Sequence, residues 1–176
     1  MSLPTKIQTT ADLATIGVAV LLSAVLIKVY LVPASSPRVP PAAPPAVAAT
    51  SVGSSLKGQL PGVDWSKNGR TLVLAISTQC HFCKESTPFY RRLEQEVGKV
   101  VKMVAVLPQP AHEAEQYLKD EGVQVDQVKQ VSLGTIGVRG TPTILLVDSK
   151  GVVTKVWTGK LKAEEQEQVL GVLKKG

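Results

Sequence analysis

The sequence predicts an α/β fold, a mixed central sheet with helices on both faces, preceded by one transmembrane helix. Three observations carry this. From about residue 56 the chain alternates short aliphatic runs with amphipathic stretches, then closes on a hairpin and a last helix. Its two cysteines stand in one C-x-x-C, Cys80-His81-Phe82-Cys83, a few residues after the apolar run Thr71–Ile76. A continuous apolar stretch near the N-terminus is followed by a proline-rich segment.

The N-terminal elements come first. Residues 1–12 form a short tail. Leu13 to Leu31 is an apolar stretch of about 19 residues, long enough to cross a bilayer as a helix. Lys28 and Tyr30 suit its interfacial end. A cleaved signal peptide is the alternative, with Lys6 as its basic start and Val32-Pro33-Ala34 as a poor cleavage site. The apolar run exceeds the usual ~7–15 residues of such a peptide, so the reading adopted is an uncleaved anchor over residues 13–32. Lys6 before the span and Lys28 and Arg38 at its end and after it leave the orientation undecided by charge. Residues 33–55, with Pro33, Pro37, Pro40, Pro41, Pro44 and Pro45 among Ala, Ser and Val, read as an extended linker. A ligand for an SH3-type module is the other reading, but no basic residue stands beside a clear P-x-x-P.

The globular part is read over residues 56–176. Thr71–Ile76 is predicted as a buried strand after the turn-like Lys67-Asn68-Gly69. Residues 80–97 are predicted as one helix, kinked at Pro88 and ended by Gly98, with Phe89, Leu93 and Val97 on its apolar face. Val100–Leu107 is a second buried strand. Ala111–Glu121 is a helix stopped by Gly122. Val123–Val131 holds a short strand and Ser132–Ile136 a helical turn. Thr143–Val147 and Val152–Trp157 are strands joined by Asp148-Ser149-Lys150-Gly151, and Ala163–Lys174 is the final helix.

Net charge is +6, yet from Leu56 onward 17 Lys/Arg are interspersed with 13 Asp/Glu. A nucleic-acid binder would show a basic stripe with aromatics between, so no nucleic-acid partner is expected.

The C-x-x-C carries the chemistry. Cysteines at i and i+3 of a helix share a face and close a disulfide with little backbone movement. At a first helical turn, free N–H groups and the helix dipole favour a thiolate at Cys80. Cys80 would exchange with a substrate disulfide and Cys83 would resolve the mixed disulfide. His81 either adds positive charge beside Cys80 or is an exposed helix-start residue. Structural zinc would need both His81 and His112 as further ligands, and His81 is poorly placed between the cysteines. Copper handling by two thiolates and a purely structural disulfide stay open at this level. No metal or cofactor is assigned.

These residues resemble the thioredoxin superfamily, and within it the TlpA/ResA-like thiol–disulfide oxidoreductases. The features are strand–C-x-x-C–helix with Pro88 five residues after Cys83, then Val138-Arg139-Gly140-Thr141-Pro142-Thr143, then strand, turn, strand and helix. Cys80 lies 62 residues before Pro142. The surplus over a minimal thioredoxin falls at about 108–131 and is similar to the subfamily's extra helix-and-strand insertion.

The resemblance implies a cis Pro142 opposite the cysteines, with Thr141 presenting backbone groups to an extended substrate and His81 and Phe82 supporting that contact. It implies a bacterial inner-membrane, single-pass protein whose catalytic domain lies on the periplasmic, extracytoplasmic side. Such a protein would act on protein thiols and disulfides, with a membrane thiol relay as electron partner and a reductase role. A thioredoxin-like copper-delivery or enzyme-maturation module is the alternative.

Three positions depart from the pattern. Gln79 stands where thioredoxins carry tryptophan, Leu74 where they carry a buried acid, and Ser86 where ResA-like proteins carry glutamate. Glu85, one position early, is the remaining candidate proton acceptor for Cys83, but one helical residue turns a side chain by about 100°.

Overall fold

The computed structural model describes residues 49–175. The predicted tail, the span over 13–32 and the linker as far as residue 48 lie outside the described residues. Among the described residues no helix is long and apolar enough to cross a membrane.

The packed body starts before Leu56, so the expected linker boundary at 55 moves toward residue 49. The Thr50 N–H donates to the Gly137 carbonyl, Gly53 N–H donates to Val153 O, and Ser55 bridges Val152. The polar backbone of this stretch finds partners on the hairpin side of the domain, which its Ser- and Gly-rich composition does not reveal.

Helix α1, Trp65–Asn68, replaces a simple turn. The Asp64 side chain accepts from Lys67 N–H at 3.0 Å and caps it, and Trp65 is buried beneath it. Strand β1, Thr71–Ala75, is buried at every position. Its two faces feed separate cores. Leu72, Leu74 and the following Ile76 join one aliphatic cluster, and Val73 and Ala75 join the other.

The predicted single helix over 80–97 is two helices, α2, His81–Glu85, and α3, Thr87–Val97, meeting at Ser86. Pro88 has no N–H to return to the carbonyl four residues back, and its ring crowds that carbonyl. Two hydroxyls at the junction bond back to carbonyls of α2. Ser86 Oγ donates to the Phe82 carbonyl at 2.7 Å and Thr87 Oγ1 donates to the Cys83 carbonyl at 3.5 Å. Phe89, Leu93 and Val97 are buried as the periodicity predicts.

Strand β2, Lys102–Leu107, helix α4, Ala111–Asp120, and edge strand β3, Gln127–Gln130, follow. The predicted insertion therefore forms a β2–α4–β3 crossover between parallel strands. Ser132–Ile136 lies in a run of turns, with Thr135 N–H on Ser132 O. Strands β4, Thr143–Val147, and β5, Val153–Thr158, form the hairpin, and α5, Ala163–Lys174, ends the described fold. The Arg70 guanidinium donates to the Val172 and Leu173 carbonyls near the end of α5 and ties it to β1.

Among the described residues the five strands form one sheet in the order β3-β2-β1-β4-β5. β2 runs parallel to β1 and β3, while β4 runs antiparallel to β1 and β5. The expected mixed α/β sheet is observed.

At the hairpin, Gly151 has φ +79°, and a Cβ there would stand 3.1 Å from Trp65 Cδ1. A Gly151→Ala variant therefore meets both the left-handed backbone cost, of order 1–2 kcal/mol, and the Trp65 ring. Its urea midpoint is expected to fall. An unchanged midpoint would contradict both the backbone cost and the clash with Trp65.

Candidate active site

The site is built where the chain leaves β1. The loop after Ile76 is held by Gln109, between Pro108 and Pro110. Its amide nitrogen donates to Ser77 Oγ at 3.0 Å and its carbonyl oxygen accepts from Thr78 N–H at 3.4 Å. Sequence reading missed Gln109, because its role depends on β1 and β2 ending side by side. Cys80 N–H then donates to the Ser77 carbonyl at 3.1 Å, and Cys80 becomes the N-cap of α2.

The two cysteines are free thiols in different surroundings. Cys80 is half-buried, and its Sγ accepts from the Cys83 N–H at 3.1 Å. Burial alone would push the Cys80 thiol up. Hydrogen bonds from the Cys83 side chain, the Thr141 side chain and the Cys83 and Phe82 backbone outweigh it and hold the thiol below its ordinary range. The Thr141 carbonyl works the other way, since it lies 3.4 Å from Sγ and accepts only from the protonated thiol. The donors win, the Cys83 and Thr141 side chains before the backbone N–H groups, because each bond strengthens when the sulfur becomes charged.

Cys83 is fully buried. Desolvation first, and then the hydrogen bond and charge of Cys80, push its thiol up to about 12. The arrangement thus separates a reachable, activated sulfur from a covered, protonated one.

Thr141 and Pro142 face this pair across the site, and the bond between them is cis. Their segment is anchored at both ends. Thr143 Oγ1 donates to the Gly140 carbonyl and Gly159 N–H donates to the Pro142 carbonyl, both at 2.7 Å. Phe82, 55% exposed, has its ring centroid 5.8 Å from that of His81. His81 is exposed at the start of α2 and lies 3.3 Å from Glu85.

The structure does not bring Glu85 to Cys83. Its carboxylate is exposed and lies 3.0 Å from Lys160 Nζ, which, with His81, holds it below the usual carboxylate range. A base held in that state is poorly matched to a thiol that ionises near 12. The one-residue offset from the ResA-like position has turned it outward. Leu74 is completely buried and Ser86 is spent on its own backbone, so neither replaces the missing acid. Among the described residues no group of three or more His, Cys, Asp or Glu side chains could hold a metal ion.

The comparisons with known proteins agree with this geometry. The sequence model of a family described as a thioredoxin-like domain matches residues 65–174. The chain is 23% identical over 122 residues to the thioredoxin-like protein YneN of Bacillus subtilis, covering 66% of this chain and 72% of YneN. In fold it is similar to a thiol:disulfide interchange protein DsbE from Chlorobium tepidum, with TM-score 0.53 and 17% identity over 71% of this chain and 99% of that one. It is likewise similar to a thiol-disulfide isomerase from Corynebacterium glutamicum, with TM-score 0.52 and 15% identity over 72% and 94% of the two chains.

Two predictions follow from the unequal cysteines. Removing the Cys83 side chain takes away a group that lowers Cys80, so Cys83→Ala is expected to move the pH midpoint of Cys80 alkylation by iodoacetamide upward. A midpoint that stays or falls would contradict the assigned hydrogen bond. The second concerns alkaline stability. Cys83 keeps its proton longer when folded than unfolded, so the stability from its burial is full below the ordinary thiol range. It is lost as pH rises from there toward about 12. Urea midpoints of the reduced protein should fall over that window, and Cys83→Ala should flatten the fall.

Proposed function

Because the chain belongs to the thioredoxin-like domain family, we propose that it is a thiol–disulfide oxidoreductase working through Cys80 and Cys83. The observation that carries this reading is the asymmetry of the pair. Cys80 is reachable and lowered in pKa by hydrogen bonds from the Cys83 and Thr141 side chains and from backbone N–H groups, while Cys83 is buried and protonated.

The Cys80 thiolate attacks one sulfur of a substrate disulfide. A mixed disulfide forms and the first substrate sulfur leaves as a thiolate. Cys83 then loses its proton and attacks Cys80 Sγ, which releases the second substrate sulfur. The substrate gains two electrons and the protein ends as the Cys80–Cys83 disulfide. Thr141 and Pro142 hold the substrate backbone beside Cys80, with Phe82 and His81 at the rim.

The direction we assign is reduction of protein disulfides outside the cytoplasm, with electrons returned by a membrane dithiol relay. The apolar stretch 13–32 and the proline-rich stretch after it support a tethered domain, and the side is taken from the subfamily resemblance. The fold likeness to the DsbE interchange protein of Chlorobium tepidum supports the same class of chemistry.

Copper delivery is the competing reading. It needs both sulfurs as thiolates, and the burial of Cys83 works against that.

Trapping tests the proposal. With Cys83→Ala in the full chain, disulfide-linked partners of Cys80 should accumulate and disappear in Cys80→Ser. A membrane-impermeant thiol reagent should label Cys80 in intact spheroplasts. Stoichiometric Cu(I) binding with no mixed disulfide and no turnover of a disulfide substrate would favour the copper reading.

A further inference from the structure

Resolution requires Cys83 to become a thiolate inside an apolar core, and no carboxylate stands by it. The hydroxyls of Ser86 and Thr87, a turn away, are spent on the Phe82 and Cys83 carbonyls. One turn further along the same face comes Tyr90, at i+7 from Cys83. Tyr90 is 2% exposed and packs in the same cluster as Cys83. Its hydroxyl lies beside Ser86, whose own proton goes to the Phe82 carbonyl, and makes no well-formed hydrogen bond among the described residues. Helical tyrosines lean back toward the helix N-terminus, here toward Cys83. Phenylalanine would fill this aliphatic space without leaving a buried O–H unpaired, an arrangement that is costly.

A second tyrosine approaches from α4. Tyr117 packs against the same cluster and lines a cleft of about 570 Å³, together with Thr78, His112, Glu113, Gln116 and Asp120. Burial first, and then charge on Cys83, push the Tyr90 hydroxyl above its ordinary range. Burial, then Glu121, then Cys83 push Tyr117 up to about 12. Both remain O–H donors at neutral pH. The titratable groups around Tyr90 are Cys83, Cys80 and Tyr117, with Glu121 beyond Tyr117. The strands and α5 contribute aliphatic side chains such as Leu74, Ile144 and Leu170.

We propose that Tyr90 is a positioning residue for the resolving step, its hydroxyl donating to the Cys83 sulfur as that sulfur becomes a thiolate. This rests on the thiol–disulfide reading above. The Cys83 proton passes to solvent, and Tyr90 keeps its own proton while its O–H turns to the charged sulfur. Cys83 Sγ bonds to Cys80 Sγ, the bond from Cys80 to the substrate sulfur breaks, and the substrate leaves as a thiolate.

The test uses the reduced full chain and a chromogenic aryl disulfide as oxidant. The first aryl thiolate released reports attack by Cys80, and the second reports resolution by Cys83. In Tyr90→Phe the first phase should be unchanged. The second should slow by about tenfold or more, the scale of a hydrogen bond to a charged group, with its pH profile moved to higher pH. The urea midpoint should be no lower, since the change removes an unpartnered hydroxyl. A second phase with the parent rate and pH profile would overturn the proposal, and so would equal slowing of both phases. If the parent chain shows no first phase, the exchange reading itself fails; if only the Tyr90→Phe result is flat, that reading stands and the role of Tyr90 does not.

Discussion

Strand β1 is hydrogen-bonded to a strand on each side and covered by aliphatic side chains on both faces, so its end cannot shift without opening two cores. Everything chemical in the described fold hangs from that end. The loop held by Gln109, the N-cap at Cys80 and the start of α2 follow within a few residues. β4, paired to the other edge of β1, brings Thr141 and Pro142 back to the same end. A site between two chain segments sixty residues apart is thereby fixed by one central strand.

Position then divides the labour between two identical side chains. At the N-cap, Cys80 meets N–H groups that have no helical partner and gains a reason to ionise. Three residues later Cys83 has turned inward, and desolvation dominates everything else acting on it. No Asp, Glu, Lys or Arg is among the causes that set either thiol, and the one charge that acts on Cys83 is that of Cys80 itself. The charged groups close by, Glu85 and Lys160, neutralise each other at the surface. The tuning is done by burial and by backbone and side-chain hydrogen bonds.

The polar groups of the interior are distributed differently from the family pattern read in the sequence. Leu74 makes the floor beneath the cysteines aliphatic, and Ser86 donates back to the Phe82 carbonyl. The hydroxyls of Tyr90 and Tyr117 lie on that side, beside those of Ser86 and Thr87. They come from two helices separated in sequence by β2, and neither belongs to a motif.

The sequence by itself determined the strands, because Thr71–Ala75, Lys102–Leu107 and Thr143–Val147 are short aliphatic runs bounded by Gly, Pro and Asp, and burial favours them wherever they pair. It determined the dithiol and its partner segment, because C-x-x-C, Pro88 and Thr141-Pro142 stand at informative spacings. Tertiary structure alone decided the rest. The packed body began before Leu56 because its backbone found partners on the hairpin side. Glu85 was turned to Lys160, 75 residues away, and Tyr117 was carried to the cysteines by the fold. Local pattern sets which residues are buried; only the packed chain sets which polar groups meet, because those meetings depend on distances between segments remote in sequence.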